Sequence, residues 1–145
     1  MQKATPHMPS QTLPERWFLV DAKNKVPGRL AVKVTKLLMG KDKATFNRAV
    51  DAKTNVVIIN AGSIKFTGNK LAGKTYVSHS GYPGGLREKT PAQVLAGSFP
   101  TRVVTHAIAG MLPKNKLGTV MLKRLKVYAG SEHPHAGQNP ITVDL

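Results

Sequence analysis

Apolar residues occur along the chain in short runs with two different spacings. The runs at 17–20 and 56–59 are continuous, and a third at 125–128 is interrupted by a single lysine. Short apolar runs rich in β-branched residues favour strands that are covered on both faces, as in a parallel sheet. The pattern therefore predicts three core strands at these positions.

Between the first two runs, residues 29–39 carry apolar side chains at helical spacing. One predicted face holds four apolar residues, namely Leu30, Val34, Leu37 and Leu38. The opposite face holds three basic residues, namely Arg29, Lys33 and Lys36. Gly40 follows directly, and a glycine at this position commonly ends a helix in the left-handed conformation. We therefore expect an amphipathic helix over 29–39 with a basic outer face.

Three further helices are predicted in the second half of the chain. Thr90, Pro91 and Gln93 stand in the order of an N-cap, a first helical position and a capping-box partner. Helical spacing covers about 101–111 and about 117–124. The residues expected to face the core in these two helices are Val104, Ala107, Ile108, Met111, Leu117, Val120 and Met121, whereas Lys123 and Arg124 are expected to face outward.

The segment between the second strand and these helices is rich in turn-forming residues. Residues 63–67 alternate weakly in polarity, and we expect them to pair with 74–78 across a tight hairpin turn at Gly68-Asn69. The sequence Gly-Tyr-Pro-Gly-Gly at 81–85 predicts a loop. The tail from residue 130 is rich in Pro, His, Asn and Gly and is expected to be extended.

This order of elements predicts an α/β fold: a single domain with a short, mostly parallel central sheet flanked by helices, and with extended N- and C-terminal segments. We assign residues 15–145 to this domain, since a chain of 145 residues suits one hydrophobic core. Residues 1–14 are polar and proline-rich, and we expect them to form a flexible extension.

The charge balance indicates a polyanionic partner. Lysine and arginine total 22 against 7 aspartates and glutamates, a formal net charge of +15. Self-repulsion at this charge opposes a compact state unless an anion offsets it. Nucleic acid is the best candidate, because each phosphate that a cation neutralises releases counterions and strengthens binding. Only 6% of residues are aromatic, which favours recognition of phosphates and shape over base stacking.

The basic residues concentrate in three clusters, at 29–48, 65–89 and 102–126. A single cluster is often no more than a solvated face, but three with few acids between them indicate contact with RNA on several sides. The residues expected to bind RNA are Arg29, Lys33, Lys36, Lys41, Lys43, Arg48, Lys70, Lys74, His79, Arg87, Lys89, Arg102, Lys114, Lys116, Lys123, Arg124, Lys126, His133 and His135.

Composition also indicates the cellular compartment of the protein. Cysteine is absent, which excludes disulfides and thiolate metal sites and fits a reducing environment. No apolar run approaches the roughly 20 residues of a membrane-spanning helix. The polar N-terminus has no hydrophobic signal region. We therefore expect a cytoplasmic protein with no membrane partner.

A nucleotide hydrolase is an alternative, since residues 68–75 read GNKLAGKT and satisfy the phosphate-loop pattern G-x-x-x-x-G-K-[ST]. In such a site Lys74 would reach the β and γ phosphates, Thr75 would hold Mg²⁺, and a helix would begin at the lysine. The residues that follow, Tyr-Val-Ser-His-Ser-Gly, favour a strand instead. No later apolar strand ends in an aspartate that could hold the metal.

Other chemistry has little support in the sequence. His133 and His135 form an H-x-H pair, but two histidines without a carboxylate partner fall short of a metal site. We expect them to contact RNA phosphate or to pack in a loop. The acids are scattered, and no Ser/His/Asp motif is recognisable. We therefore predict no enzyme: no catalytic residue, no metal, no cofactor and no small-molecule substrate.

Residues 108–128, IAGMLPKNKLGTVMLKRLKVY, resemble the signature of one family, the thirteenth protein of the large ribosomal subunit in its bacterial-type form. The matching features there are Gly110-Met111-Leu112-Pro113, Gly118 and Leu125-Lys126-Val127-Tyr128. Shorter matches in the correct order are Val20-Asp21-Ala22, Gly28-Arg29-Leu30-Ala31, Ile59-Asn60-Ala61, Thr67-Gly68-Asn69-Lys70, His79-Ser80-Gly81, Gly84-Gly85, Tyr128-Ala129-Gly130, Glu132-His133 and His135-Ala136. Together they cover about residues 16–145, and an ordered series of matches is more specific than one motif.

The resemblance implies an α/β fold and a structural role in the large ribosomal subunit. It further implies binding to 23S-type rRNA, a role in early subunit assembly, and neighbouring large-subunit ribosomal proteins as partners, in bacterial cytoplasm or in an organelle of bacterial descent. It assigns Gly68-Asn69-Lys70 to a family turn. Two residues depart from the family pattern, Ala109 and Thr119, which stand where basic or polar residues are frequent. Each departure would remove one phosphate contact.

A free-standing regulator that binds DNA or RNA is a third alternative. The sequence contains no helix-turn-helix or RNP-type motif to support it. A ribosomal scaffold is therefore the function that the sequence favours.

Overall fold

A computed structural model of the chain describes residue 9 and residues 12–144. Its helices and strands follow in the order β1 (Arg16–Asp21), α1 (Pro27–Leu38), β2 (Thr54–Ile59), α2 (Lys70–Gly73), β3 (Tyr76–His79), β4 (Leu86–Lys89), α3 (Pro91–Ala96), α4 (Arg102–Met111), α5 (Lys116–Lys123), β5 (Leu125–Val127) and β6 (Ile141–Thr142). Short 3-10 turns lie at Ala61–Ser63 and Ala136–Gln138. The extension predicted at 1–14 falls mostly outside the described residues.

Four parallel strands form the central sheet, in the order β5, β2, β1, β6. β1 pairs with β2 along its full length, from Arg16 opposite Thr54 to Asp21 opposite Ile59. The two outer strands are short, since β5 has three residues and β6 has two. The prediction of an α/β fold with a mostly parallel sheet is confirmed.

The core lies around β2 and the helices α1 and α4. Residues 54–58 of β2 are all buried, as expected of a strand covered on both faces. α1 packs against β2 and α4, and its Val34 and Leu38, with Ile108 of α4, have no exposed surface. Each side chain buried in this way stabilises the fold by about 1.5–3 kcal/mol. The packing fixes the outer faces of both helices relative to the sheet.

The helix predicted over 29–39 is confirmed as α1, which begins at Pro27. Leu30, Val34 and Leu38 face the core. Gly40 has a φ of +72°, in the left-handed conformation expected after the helix. A Cβ there would also collide with that of Ala52, so this turn has two reasons to require glycine.

The capping box predicted before α3 is confirmed. The Gln93 backbone N–H donates to the Thr90 hydroxyl oxygen at 3.4 Å, and the Thr90 N–H donates to the Gln93 side-chain oxygen at 3.0 Å. Two otherwise unpaired donors of this helix start are thereby satisfied.

Two residues predicted to face the core are exposed instead. Met111 is 42% exposed and Val120 is 41% exposed. The helices α4 and α5 are close to their predicted bounds, but each buries a narrower apolar face than predicted. Leu112, just beyond α4, is buried, and so are Gly118 and Met121 of α5. The assignments of Met111 and Val120 were wrong.

The predicted pairing of 63–67 with 74–78 is also wrong. The chain after β2 forms a 3-10 turn, and the backbone of Lys65 donates to Lys25, in the loop after β1. Gly68 does have a positive φ of +61°, but the chain then enters α2 and not a second strand. The loop after β1, and not a strand at 74–78, therefore pairs with the backbone of Ser63 and Lys65.

The hairpin that does form pairs β3 with β4, from Tyr76 opposite Lys89 to His79 opposite Leu86. Its connection contains the predicted loop at 81–85, where Gly81 and Gly84 have φ values of +88° and +72°. The left-handed conformation at these two positions is the physical reason that each of them is a glycine.

The tail from residue 130 is only partly extended. It contains the second 3-10 turn and then β6, whose Ile141 lies opposite Phe18 of β1. No helix in the described part of the chain is long and apolar enough to cross a membrane.

Candidate nucleic-acid interface

The outer face of α1 and the loop after it carry exposed cations. Arg29, Lys33 and Lys36 are exposed on the face opposite Leu30 and Val34, as the helical spacing predicted. The long aliphatic part of each side chain allows its charged end to remain in solvent. Lys41 and Arg48 are exposed in the following loop. This arrangement forms one basic surface.

Lys43, in the same loop, is held by the protein itself. Its ammonium donates to the Ala52 carbonyl oxygen at 2.6 Å. Burial lowers the pKa of Lys43, and the nearby Arg16 lowers it further, while Asp42 and Asp51 oppose the change. Lys43 therefore has a role in closing the 40–53 loop.

The geometry at GNKLAGKT excludes a phosphate loop. The helix α2 ends at Gly73, and Lys74 follows it in an extended conformation with φ −83° and ψ 137°. A phosphate loop needs the opposite order, with a helix that begins at the lysine and directs its N–H groups at the phosphates. Lys70 and Lys74 are exposed, and the Lys74 ammonium lies 5.0 Å from the centre of the Tyr76 ring.

One face of the β3–β4 hairpin is basic. Tyr76 lies opposite Lys89, and Ser78 lies opposite Arg87. Directly opposed residues of an antiparallel pair share a face, and residues two apart along a strand do the same. All four side chains therefore project from one face of the hairpin, whereas Glu88 projects from the other.

This hairpin face lies across from the outer face of α4. Arg102, His106 and Ala109 are spaced by four and three residues, so they line the same side of the helix as Thr105. Between the two faces runs a groove of about 560 Å³. We call it the hairpin groove. Its lining residues are Tyr76, Val77, Ser78, Arg87, Lys89, Val94, Arg102, Val103, Thr105, His106 and Ala109.

The charges in the hairpin groove are all of one sign. Arg87, Lys89 and Arg102 are exposed cations, and no acid occurs among the described residues that line the groove. None of the three forms an ion pair within residues 12–144. The rings of Tyr76 and His106 pack in a T-shaped arrangement with 5.5 Å between centroids, and burial raises the pKa of Tyr76. The groove is therefore built to attract an anion.

Two acidic side chains near the sheet form hydrogen bonds within the protein. Asp42 accepts a hydrogen bond from Arg16 at 2.8 Å. Asp21 accepts one from the Asn60 amide at 2.9 Å, and this bond, with a second from the Lys23 backbone, lowers the pKa of Asp21. Neither carboxylate lines the hairpin groove.

The cations of the signature region lie on α5 and its flanks. Lys114, Lys116 and Lys123 are exposed, and Lys126 of β5 is half-buried. The Lys114 ammonium contacts the Ala109 carbonyl oxygen at 2.5 Å. These residues form a further basic surface, separate in sequence from that of α1.

Arg124 differs from its neighbours because it has an internal partner. Its Nε and Nη2 donate to the same Asp51 carboxylate oxygen, at 2.9 Å and 2.6 Å. Glu15 lies 3.7 Å from Nη1. The Arg124 side chain is 22% exposed, so the expectation that it faces outward holds only in part.

His133 and His135 pack among aromatic rings. The Tyr128 hydroxyl and the His135 Nε2 are 2.9 Å apart, and the Trp17 and His135 rings are 5.2 Å apart between centroids. The two histidines are joined by a hydrogen bond from the His135 backbone to the His133 Nδ1. His79 is exposed, and its Nδ1 accepts from the Gly81 N–H at 2.9 Å. Among the described residues, no group of three His, Cys, Asp or Glu could hold a metal.

The two departures from the family pattern lie on different surfaces. Ala109 forms part of the wall of the hairpin groove. Thr119 is exposed on α5, where its hydroxyl donates to the Asn115 carbonyl oxygen at 3.3 Å.

Besides Tyr76, three polar residues of the groove were not among the sequence-predicted sites. Ser78, Thr105 and His106 are polar but carry no fixed charge, so a search for lysine and arginine clusters passes over them. The i, i+3, i+4 spacing of Arg102, Thr105 and His106 was a usable signal for a shared helix face. The hairpin register that places Ser78 opposite was not available, because β4 was not predicted.

Comparison with known proteins identifies the family. The model of the family Ribosomal protein L13 matches residues 15–134. The large ribosomal subunit protein uL13 of Nitratidesulfovibrio vulgaris is 54% identical over 130 residues, which cover 90% of each chain. The uL13 proteins of Chelativorans sp. and Bartonella henselae are 51% and 49% identical over 131 residues, with 90% of this chain and 86% and 85% of theirs covered. The chain therefore belongs to the ribosomal protein L13 family, a family of structural components of the large ribosomal subunit and not of enzymes.

Proposed function

We propose that the chain binds 23S-type rRNA in the large ribosomal subunit of bacterial-type, cytoplasmic ribosomes and supports early subunit assembly. The observation that carries this proposal is the spread of exposed cations over separate elements: α1 and its loop, the hairpin groove, and α5. A chain with a net charge of +15 and several basic surfaces needs a polyanion that reaches all of them.

The mechanism is structural. Lysines and arginines on each surface neutralise rRNA phosphates and release counterions, which provides affinity without base specificity. The buried sheet and helices keep the surfaces at fixed separations, so the bound RNA segments are held at fixed separations too.

The assembly role follows from this rigidity. Once one RNA segment is bound, the next binds to a surface already nearby, at a raised effective concentration. The chain therefore favours the compact arrangement of the rRNA before the other components are in place. Neighbouring large-subunit proteins complete the set of partners.

The test is the binding of the full chain to a 23S-type rRNA transcript over a series of KCl concentrations. We expect tight binding at 0.1 M salt and a logarithm of affinity that falls steeply with the logarithm of salt, by about 0.7–0.9 per phosphate contacted. Charge-matched DNA duplex serves as the control polyanion and should bind more weakly. Equal affinity for both, or no binding of the rRNA, contradicts the proposal.

A further inference from the structure

We propose that the hairpin groove binds the sugar–phosphate backbone of a single, unpaired RNA strand. This inference rests on the proposed function and assigns one of its RNA contacts to a defined site. The groove lies between the basic face of the β3–β4 hairpin and the outer face of α4.

The spacing of the cations suits an extended strand. Arg87 and Lys89 are two residues apart on β4, which places their Cα atoms about 7 Å apart along the strand direction. Successive phosphates of an extended nucleic-acid strand have a comparable separation. Arg102 faces them from α4, so a backbone in the groove meets cations on both walls.

The other polar groups suit the remainder of the backbone. The Thr105 hydroxyl donates to the Thr101 carbonyl oxygen, which leaves its lone pairs to accept from a ribose 2′-hydroxyl. Ser78 and His106 line the same groove and have both donor and acceptor capacity. Guanidinium groups bind phosphate oxygens in pairs, so the two arginines of the groove suit a phosphodiester.

The shape of the groove selects against a duplex. At about 560 Å³ it has the volume of a ligand pocket, typically about 300–1,000 Å³. A double helix is too wide to enter it and would contact only the rim. The half-buried apolar side chain of Val94 lines the groove as well, and it offers an apolar surface to a ribose or an unstacked base.

The first test compares variants of the full chain in the salt series with 23S-type rRNA. The double variant Arg87→Gln/Lys89→Gln removes two of the proposed phosphate contacts. We expect the salt slope to fall by about 1.4 and the affinity at 0.1 M KCl to fall about 10- to 30-fold. The control, Lys23→Gln, removes a charge from an exposed residue that lies outside the groove and outside the three basic clusters, and should change affinity less than about threefold.

Two further variants complete this test. Arg87→Lys/Lys89→Arg keeps both charges and should bind within about threefold of the unmodified chain. Ala109→Lys adds a cation to the groove wall and should raise the salt slope by about 0.7. If the Gln variant matches its control while the unmodified chain binds rRNA, the groove assignment fails and the proposed function stands. If the unmodified chain does not bind, the proposed function fails first.

The second test asks which form of RNA occupies the groove. A single-stranded oligouridylate is titrated into ¹⁵N-labelled chain, and amide shifts are followed by NMR. We expect the largest shifts at Ser78, Arg87, Arg102 and Thr105, and much smaller ones when the same strand is first annealed to its complement. Shifts of equal size with the duplex, or shifts confined to α1, would overturn the proposal.

Discussion

Arg124 lies at the end of α5, where its guanidinium donates two hydrogen bonds to Asp51. The Asp51 side chain is only 12% exposed, so removal of the arginine leaves a largely enclosed carboxylate without its partner. Lys123, one residue earlier, is exposed and has no such contact in the described residues. Adjacent cations of the same cluster thus have different physical roles.

This contrast predicts different effects of two substitutions. Arg124→Gln should lower the free energy of unfolding by about 1–2 kcal/mol, because charge-assisted hydrogen bonds are lost. Lys123→Gln should change it by less than about 0.5 kcal/mol. Urea denaturation of both variants gives the comparison. Equal stabilities, with a loss of RNA affinity in Arg124→Gln, would show that Arg124 acts as an RNA ligand and not as a structural residue.

At the scale of elements, the start of α5 depends on the close approach of Gly118 to the backbone of Pro113. The Asn115 side chain caps the helix by accepting from the Gly118 N–H at 2.8 Å. Gly118 is buried, and a Cβ there would collide with the Pro113 carbonyl, which is backbone and cannot move aside easily. The turn from Pro113 into α5 therefore requires glycine for space.

A matched pair of glycine substitutions tests this requirement. Gly118→Ala should destabilise the fold by about 1–3 kcal/mol through overpacking. Gly110→Ala, in α4, has open space around its added methyl group and should stabilise the fold by up to about 1 kcal/mol. Thermal unfolding followed by circular dichroism measures both. The account of α5 is wrong if the two variants shift the melting temperature in the same direction.

The elements that the sequence predicted correctly are those whose signal is local. The apolar stripe of α1, the capping box at Thr90 and the continuous run of β2 each arise within a few residues, and each formed where expected. Strand pairing is different, because it depends on partners that are distant along the chain. β6 has two residues and is defined only by its backbone pairing with β1.

The β3–β4 hairpin shows that prediction of the candidate site from sequence has the same limit. Leu86–Lys89 has a single apolar residue, and all four residues are exposed, so it carries no alternating pattern of a half-buried strand. Without β4, nothing in the sequence placed Arg87 and Lys89 opposite α4. The cations were identified by residue type alone, and their assembly into a groove required the tertiary structure.

At the scale of the whole molecule, the fold and the charge have separate roles. The parallel sheet and the helices packed on it provide a rigid body, and the exposed cations of α1, the hairpin groove and α5 give that body at least three basic surfaces. With 22 basic and 7 acidic residues, the folded chain alone carries strong self-repulsion. RNA bound as proposed would relieve that repulsion, so the chain is expected to be most stable inside the ribonucleoprotein.

The most direct test of the central claim is where the chain sediments. A lysate of cells that express it is run through a high-salt gradient, and the chain is quantified by mass spectrometry in each fraction. The account predicts near-stoichiometric recovery with the large ribosomal subunit after the salt wash. Recovery mainly among free proteins would contradict it.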